Sequence, residues 1–172
     1  MLDECATKGM DRLPVASGGM SRLAYRRALI AGIDPEGQLQ KAGLTRAQME
    51  NPRATIKVRD QIKFLNLIAS ALDDDFLGFH LAQECDLREI GLLYYVLSSS
   101  EILIDALQRA VRYSTIVNEG VSQTCTDGKD FGLSFDYVGV SRHPDRHQIE
   151  FWITALVRTC RQLTGFRVIP ER

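Results

Sequence analysis

The sequence predicts an α+β domain that is mostly helical and carries a small antiparallel sheet, formed by a β-hairpin and a C-terminal strand. Two observations support this prediction. Apolar residues recur at helical spacing over most of the chain, but between residues 121 and 138 the side chains alternate with a period of two. With 172 residues, of which 45% are hydrophobic, the chain has the length of one domain and enough apolar side chains for a sizeable core.

The composition argues against several functional classes. The formal net charge is −1, so there is no overall attraction to DNA or RNA. The chain has no run of about 18 apolar residues, and its first residues lack the apolar segment of a signal peptide, so we predict a cytoplasmic protein without membrane contact. Four cysteines without a CxxC pair predict thiols in a reducing compartment. They are Cys5, Cys85, Cys125 and Cys160.

The N-terminal segment shows little periodicity. Residues 1–20 are predicted to be a flexible lead-in to a domain of residues 21–172. Ser21 can cap a helix over Arg22–Ala31, and Gly32 can end it. The arginines of this helix are predicted to form a solvated face, with an anion contact as the alternative. They are Arg22, Arg26 and Arg27.

Short helices are predicted next. Asp34 and Pro35 are typical of a helix start and predict a helix over Pro35–Ala42. Thr45, followed three residues later by Gln48, predicts a capping box at the start of another short helical turn.

The helix predicted over Lys57–Leu72 is longer, because apolar residues form one continuous stripe along it. Three consecutive aspartates at Asp73–Asp75 end this helix and can cap the next one, Phe76–Gln83. They lack the spacing and the distal glutamate of a calcium-binding loop.

The densest apolar stretch, Asp86–Asn118, contains two predicted helices. The first covers Glu89–Leu97. The second covers Glu101–Val117, where an apolar inner face and a charged outer face separate cleanly. Ser100 can cap this second helix, or Ser98 can begin a capping box.

The β-hairpin is predicted from two alternating runs on either side of Asp127 and Gly128. Because two strands alone are marginally stable, we expect the hairpin to pair with a further element. A last helix is predicted over Asp145–Thr164, and Phe166–Ile169 has the character of a strand start. A chain that stops as a strand begins is expected to be part of a longer protein.

Catalytic and cofactor-binding patterns are absent, so neither an enzyme nor a cofactor is predicted. The chain has no GxSxG, phosphate loop or dinucleotide fingerprint.

His143 and His147 have the spacing of a metal pair, but Pro144 pushes His143 out of the helix, so no metal is predicted. His80 is predicted to be a packed core or boundary histidine. A helix-turn-helix over Phe64–Gln83 is disfavoured because its second helix lacks basic residues.

A ligand pocket is the remaining candidate site. Aromatic side chains with polar tips, joined by a few polar anchors, are typical of such cavities, and ordinary core packing is the alternative for each residue. The candidates are Tyr94, Tyr95, Arg112, Tyr113, Asn118, Glu119, Tyr137 and Trp152.

Four segments follow, in order and spacing, the pattern of a known family. They are AGIDPEGQLQKAGL at Ala31–Leu44, IKVRDQIKFLNLIASALDDDFLGFHLA at Ile56–Ala82, IGLLYYVLSSSEILIDALQRAVRYSTIVNEG at Ile90–Gly120, and RQLTGFRVIPER at Arg161–Arg172. Through them the chain resembles the N-terminal regulatory domain, often called arabinose-binding-like, of one branch of AraC-family transcriptional regulators. The family commonly has Ser-Pro-Thr-Leu where this chain has Ser-Glu-Ile-Leu at residues 100–103, and Glu keeps a favourable charge at the helix start.

The resemblance implies the effector-sensing and dimerisation half of a bacterial DNA-binding regulator, either an activator or a repressor. A small-molecule effector and a homodimer are implied. Promoter DNA would be bound only through a C-terminal helix-turn-helix domain outside this chain. The alternative is an oligomerisation or partner-binding module with no small-molecule effector.

Overall fold

A computed structural model of the chain describes residues 14–90, 92–126, 131–138 and 145–170. The α-helices in these ranges are α1 (Gly19–Ile30), α2 (Glu36–Ala42), α3 (Arg46–Glu50), α4 (Val58–Leu72), α5 (Leu77–Glu84), α6 (Leu92–Ser98), α7 (Leu103–Tyr113) and α8 (Arg146–Thr164). Short 3-10 helices cover Leu87–Ile90 and Ser114–Ile116. The strands are β1 (Val15–Ala16), β2 (Ile56–Lys57), β3 (Val121–Thr126) and β4 (Gly132–Tyr137). The predicted α+β class is thereby confirmed.

The helix boundaries follow the capping residues of the sequence in several places. Thr45 and Gln48 form the predicted capping box, in which each side chain bonds the backbone N–H of the other residue. Gly43 and Gly165 end α2 and α8 in the left-handed conformation. The N-cap residue of α5 is Phe76, and no side chain of the described residues bonds the N–H groups of the first turn, so the aspartate run does not cap this helix as predicted. Asp74 instead accepts hydrogen bonds from the Phe76 N–H and from His80.

The start of α7 differs from the prediction. The N-cap residue is Ile102, whose extended backbone (φ −126°, ψ 148°) delays the helix to Leu103. Ser100 is therefore too far from the free N–H groups of the first turn, and its buried Oγ has no partner within the described part of the chain. Ser98 instead donates to the Tyr95 carbonyl oxygen. The helix also ends at Tyr113 and continues to residue 116 in the tighter 3-10 form.

Two separate antiparallel sheets, each of two strands, are found in the described ranges. In the predicted hairpin, β3 and β4 pair from Val121 opposite Tyr137 to Thr126 opposite Gly132. The Asp127–Gly128 turn lies outside the described residues. Among the described residues no third strand joins this pair, and the hairpin is supported by helices, because Tyr137 packs against a buried cluster built around Val58 and Ile62.

The C-terminal strand expected over Phe166–Ile169 does not form. Its backbone groups are used locally, because the Val168 N–H donates to the Phe166 carbonyl oxygen and the Val168 carbonyl oxygen accepts from Arg161. Phe166 and Ile169 are both exposed, so no apolar surface holds the segment in an extended form.

Residues 14–19, which were predicted to belong to a flexible lead-in, are instead held to the rest of the fold by backbone hydrogen bonds. β1 pairs with β2, and the Val58 N–H donates to the Pro14 carbonyl oxygen. On the other edge, the Ser17 N–H donates to the Val117 carbonyl oxygen, and Ala16 bridges Asn118. Residues 1–13 lie outside the described ranges.

The core has two principal parts. The larger cluster packs α1, α2, α4, α5 and α8 together, around fully buried side chains such as Phe64, Ile68 and Leu77. The smaller cluster lies between α6 and α7 and includes Leu97 and Ala110. Trp152 of α8 packs against both clusters and therefore joins the two halves of the domain.

Candidate functional site

A cavity of about 580 Å³ lies between α1 and α8, beside the N-terminal strand β1. Its wall is also formed by the C-terminal end of α3, by α4, by the residues after α5 and by Val117. A cavity of this volume is in the range that holds small-molecule ligands. The cavity is therefore the candidate functional site of the domain.

The floor of the cavity is apolar and buried. These side chains come from segments that lie far apart in the sequence, so only the folded chain brings them together. They are Ala16, Met20, Tyr25, Met49, Cys85 and Phe151. Leu23 and Trp152, both partly buried, extend the apolar surface toward the opening. Such a surface favours an apolar ligand body, because water leaves it when the ligand enters.

The rim of the cavity carries charged side chains. Glu50 accepts a hydrogen bond from Arg46 at 2.8 Å between Nε and Oε1, one turn away on α3. Asp86 accepts from Arg88 at 2.7 Å. Both carboxylates of the rim thus have a cationic partner that lies outside the cavity wall.

Two arginines line the cavity wall, and of these Arg26 is exposed and Arg22 is half-buried. Its Nη2 donates to the Ser17 carbonyl oxygen at 2.7 Å, and Nη1 lies 3.4 Å from the Asn51 oxygen and 3.5 Å from the Ala54 oxygen. No carboxylate of the described residues forms an ion pair with it. Burial, followed by the nearby charge of Arg26, lowers the pKa of the Arg22 guanidinium.

The backbone at Gly18 allows this placement of Arg22. Gly18 has a φ of +72°, a conformation that other residues rarely adopt, and a Cβ there would lie 2.9 Å from Arg22 Nη1. The glycine that precedes α1 thus permits the close contact between the β1–α1 connection and the guanidinium.

A chain of hydrogen bonds leads from the cavity wall to the β-hairpin. Gln61 lines the cavity, and its Nε2 donates to Gln148 Oε1 at 2.7 Å. Gln148 Nε2 then donates to the Tyr137 hydroxyl on β4 at 2.8 Å. Gln61 and Gln148 are almost fully buried, with 2% and 1% of their surfaces exposed. Buried amides in such a chain hold the elements that they join in one arrangement.

Trp152 carries a buried polar group. Its Nε1 has no acceptor within the described part of the chain. An unpaired buried N–H is unfavourable.

The sequence-predicted pocket residues are distributed over several places. Trp152 lines the main cavity. Together with Tyr94 it also lines a much smaller cavity of about 30 Å³, and the Tyr94 hydroxyl accepts from Gln162. Tyr95 and Tyr113 are exposed.

The remaining candidates stand outside the main cavity. Arg112 is exposed on α7. Asn118 is buried and its Oδ1 accepts from the Gly120 N–H, while Glu119 accepts from the Val15 N–H of β1. Tyr137 reaches the cavity only through Gln148 and Gln61.

Sequence reasoning missed most of the cavity wall, above all Met20, Arg22 and Leu23. The amphipathic pattern of α1 is weak, and Arg22 was assigned to a solvated face. The alternative of an anion contact was the signal that pointed to it.

Metal binding has little support in the described ranges. No three His, Cys, Asp or Glu side chains converge there as metal ligands. His143, half of the possible metal pair, lies outside the described residues. The other half, His147, is partly buried with its Nδ1 3.8 Å from Glu150 Oε2, and this burial lowers its pKa. His80 lies at a boundary position, where its Nδ1 is 2.9 Å from Asp74.

Two further properties concern the cysteines and the length of the helices. Cys85, Cys125 and Cys160 are not joined in disulfides, and burial raises the pKa of the Cys160 thiol. Within the described ranges, no helix has the length and apolar character needed to cross a membrane.

Comparison with known families gives one match. The family described as the arabinose-binding domain of AraC transcription regulators, N-terminal, matches residues 32–172. Among curated proteins, none matches the chain. The matched range includes every element from α2 onward, whereas β1 and α1, which supply much of the cavity wall, precede it.

Proposed function

Because the chain belongs to the family of N-terminal arabinose-binding domains of AraC transcription regulators, we propose that it senses a small-molecule effector in the cavity between α1 and α8. The family is a regulatory ligand-binding domain and not an enzyme. The observation that supports the cavity as the effector site is its size, about 580 Å³, together with a buried apolar floor.

The effector acts by shifting the population of two arrangements of the domain, in proportion to its differential affinity for them. The chain of hydrogen bonds from Gln61 through Gln148 to Tyr137 joins the cavity wall to α8 and to the β-hairpin. A ligand that moves Gln61 changes the contacts of both elements. This coupling controls promoter binding by a C-terminal helix-turn-helix domain in the cytoplasm, and the chain acts as a homodimer.

A thermal-shift screen of sugars, amino acids and organic acids tests the proposal. A compound present at 100 times its dissociation constant stabilises the folded chain by about 2.7 kcal/mol, which raises the melting temperature by about 5–10 °C. Leu23→Trp places a larger side chain in the wall of the cavity and should reduce or abolish the shift. Leu29→Trp, on the same helix but with 47% of the leucine exposed, should leave it unchanged.

The screen has a clear negative outcome. If no compound class raises the melting temperature of the wild-type chain, or if the shift persists in Leu23→Trp, the cavity is not the effector site. An oligomerisation module without an effector would then account better for the fold.

A further inference from the structure

The cavity holds a cation that pairs with no carboxylate of the described residues. Among these residues, Arg22 donates only to the backbone carbonyl oxygens of residues 17, 51 and 54, and two of these three contacts are 3.4 Å or longer. Its Nε donates to none of the described residues. A guanidinium has five N–H donors, so this one keeps donor capacity for an incoming group.

The carboxylates of the wall do not meet this need. Glu50 is paired with Arg46, and Asp86 is paired with Arg88. The free donor capacity of Arg22 therefore favours a ligand that brings acceptor oxygens with negative charge.

The floor of the cavity favours a ligand with an apolar side. A sugar has hydroxyl groups on every side, and each buried hydroxyl without a polar partner is costly. Met20, Met49 and Phe151 of the floor offer such hydroxyls only sulfur and hydrocarbon. Glu50, Gln61 and Asp86 of the wall already have hydrogen-bond partners within the chain. The family description names arabinose, but α1 and its Arg22 lie outside the range that the family matches.

We infer that the effector is an apolar molecule with a single carboxylate, which forms an ion pair with Arg22 while its apolar body covers the floor of the cavity. The inference rests on the proposed function, because it names the ligand class of the same site. Planar guanidinium and carboxylate groups pair through two parallel hydrogen bonds, which orients the ligand as well as binding it.

Matched pairs of acids and alcohols test this inference in the wild-type chain. Isothermal titration calorimetry at pH 7.5 compares decanoate with 1-decanol and 4-phenylbutyrate with 4-phenyl-1-butanol, below their aggregation limits, with L-arabinose as the sugar. The acid of each pair is expected to bind about 10–100 times more tightly than its alcohol, the usual range for a charge-assisted hydrogen bond.

Variants of the arginine then assign the preference to one side chain. Arg22→Gln should remove the preference for the acid and leave the alcohol affinity within about threefold, since the apolar floor is unchanged. Arg22→Lys should keep part of the preference, because it keeps the charge but not the planar fork. Arg59→Gln, with the same change of charge at an exposed position outside the cavity, is the control.

The outcomes separate this inference from the proposed function. Equal affinities for acid and alcohol, or an acid preference that survives Arg22→Gln, overturn the pairing with Arg22. Binding of L-arabinose that Leu23→Trp abolishes overturns the ligand class but supports the cavity as the effector site. If none of the probes binds, the inference fails, and the broad thermal-shift screen decides the proposed function independently. If Arg22→Gln does not fold, the wild-type pairs and Arg22→Lys still decide the question.

Discussion

Gly78 determines how closely α5 and α8 pack. A Cβ at this position would lie 2.0 Å from the backbone oxygen of His147, a distance that no rearrangement of side chains can relieve. About three turns further along α8, Arg158 donates to the carbonyl oxygens of Ala82 and Cys85 at the end of α5. The helices α5 and α8 are therefore held together at Gly78 and again at Arg158.

The first prediction concerns this glycine. Gly78→Ala forces α5 and α8 apart and should lower the free energy of unfolding by about 1–3 kcal/mol, even though alanine favours helices. Urea denaturation measures the change. Gly37→Ala is the matched control, because Gly37 lies in α2 with open space around it and the substitution should stabilise the chain by about 0.5–1 kcal/mol. Equal effects of the two substitutions would contradict the role of close packing.

The second prediction concerns the pH dependence of stability through His147. Burial lowers the pKa of this imidazole from its ordinary value of 6.5; the nearby charge of Glu150 opposes this effect, and that of Arg146 adds to it. The unfolded chain therefore takes up a proton as the pH falls through 6.5, while the folded chain does so only at lower pH. Stability should be level above about pH 7.5 and should fall between pH 7.5 and 5.5, by less than about 1.4 kcal/mol per pH unit.

Substitution of the histidine checks the assignment. His147→Gln should flatten the dependence of the free energy of unfolding on pH over this window, as measured by urea denaturation at pH 7.5, 6.5 and 5.5. Burial raises the pKa of Asp74, but hydrogen bonds from His80 and Phe76 and the charges of His80 and Arg27 together lower it from 3.8, so Asp74 titrates below the window. An unchanged slope in His147→Gln would assign the dependence to other groups.

At the scale of elements, the buried amides join α4, α8 and β4. Gln61 of α4 donates to Gln148 of α8, and Gln148 donates to Tyr137 of β4. The second strand of the hairpin is thereby attached to the helical layer without a third strand. Because the first residue of this chain of bonds lines the cavity, the same contacts serve both stability and the proposed coupling.

A double-mutant cycle gives the third prediction. Gln148→Leu leaves the buried Gln61 Nε2 without its acceptor and should cost about 1–3 kcal/mol of unfolding free energy. Gln61→Leu with Gln148→Leu removes both members of the buried pair, so the double variant should be less destabilised than the sum of the two single variants. Chemical denaturation of the four proteins measures the coupling. Strict additivity would show that the two amides act independently.

At the scale of the whole molecule, α7 turns one face to the core and the other to solvent. Ala106 and Ala110 are buried on the inner face, as the sequence pattern predicted. On the outer side, Ile102, Tyr113 and Ile116 are exposed, with 55%, 39% and 57% of their surfaces accessible. Ile102 precedes α7, Tyr113 is its last residue, and Ile116 lies in the 3-10 helix that follows, so these apolar side chains lie at the two ends of the helix. Exposed apolar side chains are found at association surfaces, and we propose that these residues contribute to the homodimer.

The fourth prediction tests this dimer. Sedimentation velocity should show a dimer of the wild-type chain at micromolar concentration, and Ile116→Glu should weaken association at least tenfold, because a charge is buried at the interface. Ile30→Glu, at an exposed isoleucine on α1, should leave the dimer intact. A wild-type chain that stays monomeric at all concentrations would argue against the dimer itself.

The sequence by itself determined the local elements. Periodicity predicted α4, α7 and α8, alternation predicted β3 and β4, and the capping box at Thr45 was correctly located. Each of these depends on residues within a few positions of one another, because hydrogen bonds of helices and turns are local. The resemblance carried by these segments also identified the family.

Only the tertiary structure decided where the cavity lies and which side chains face it. Arg22 meets the carbonyl oxygens of residues 51 and 54, and Gln61 meets Gln148, 87 positions away. The pairing of β1 with β2 and the absence of the strand expected at Phe166–Ile169 likewise depended on partners elsewhere in the chain. A sequence pattern records the preference of a residue for burial or solvent, but the contents of a cavity depend on which distant segments the core brings together.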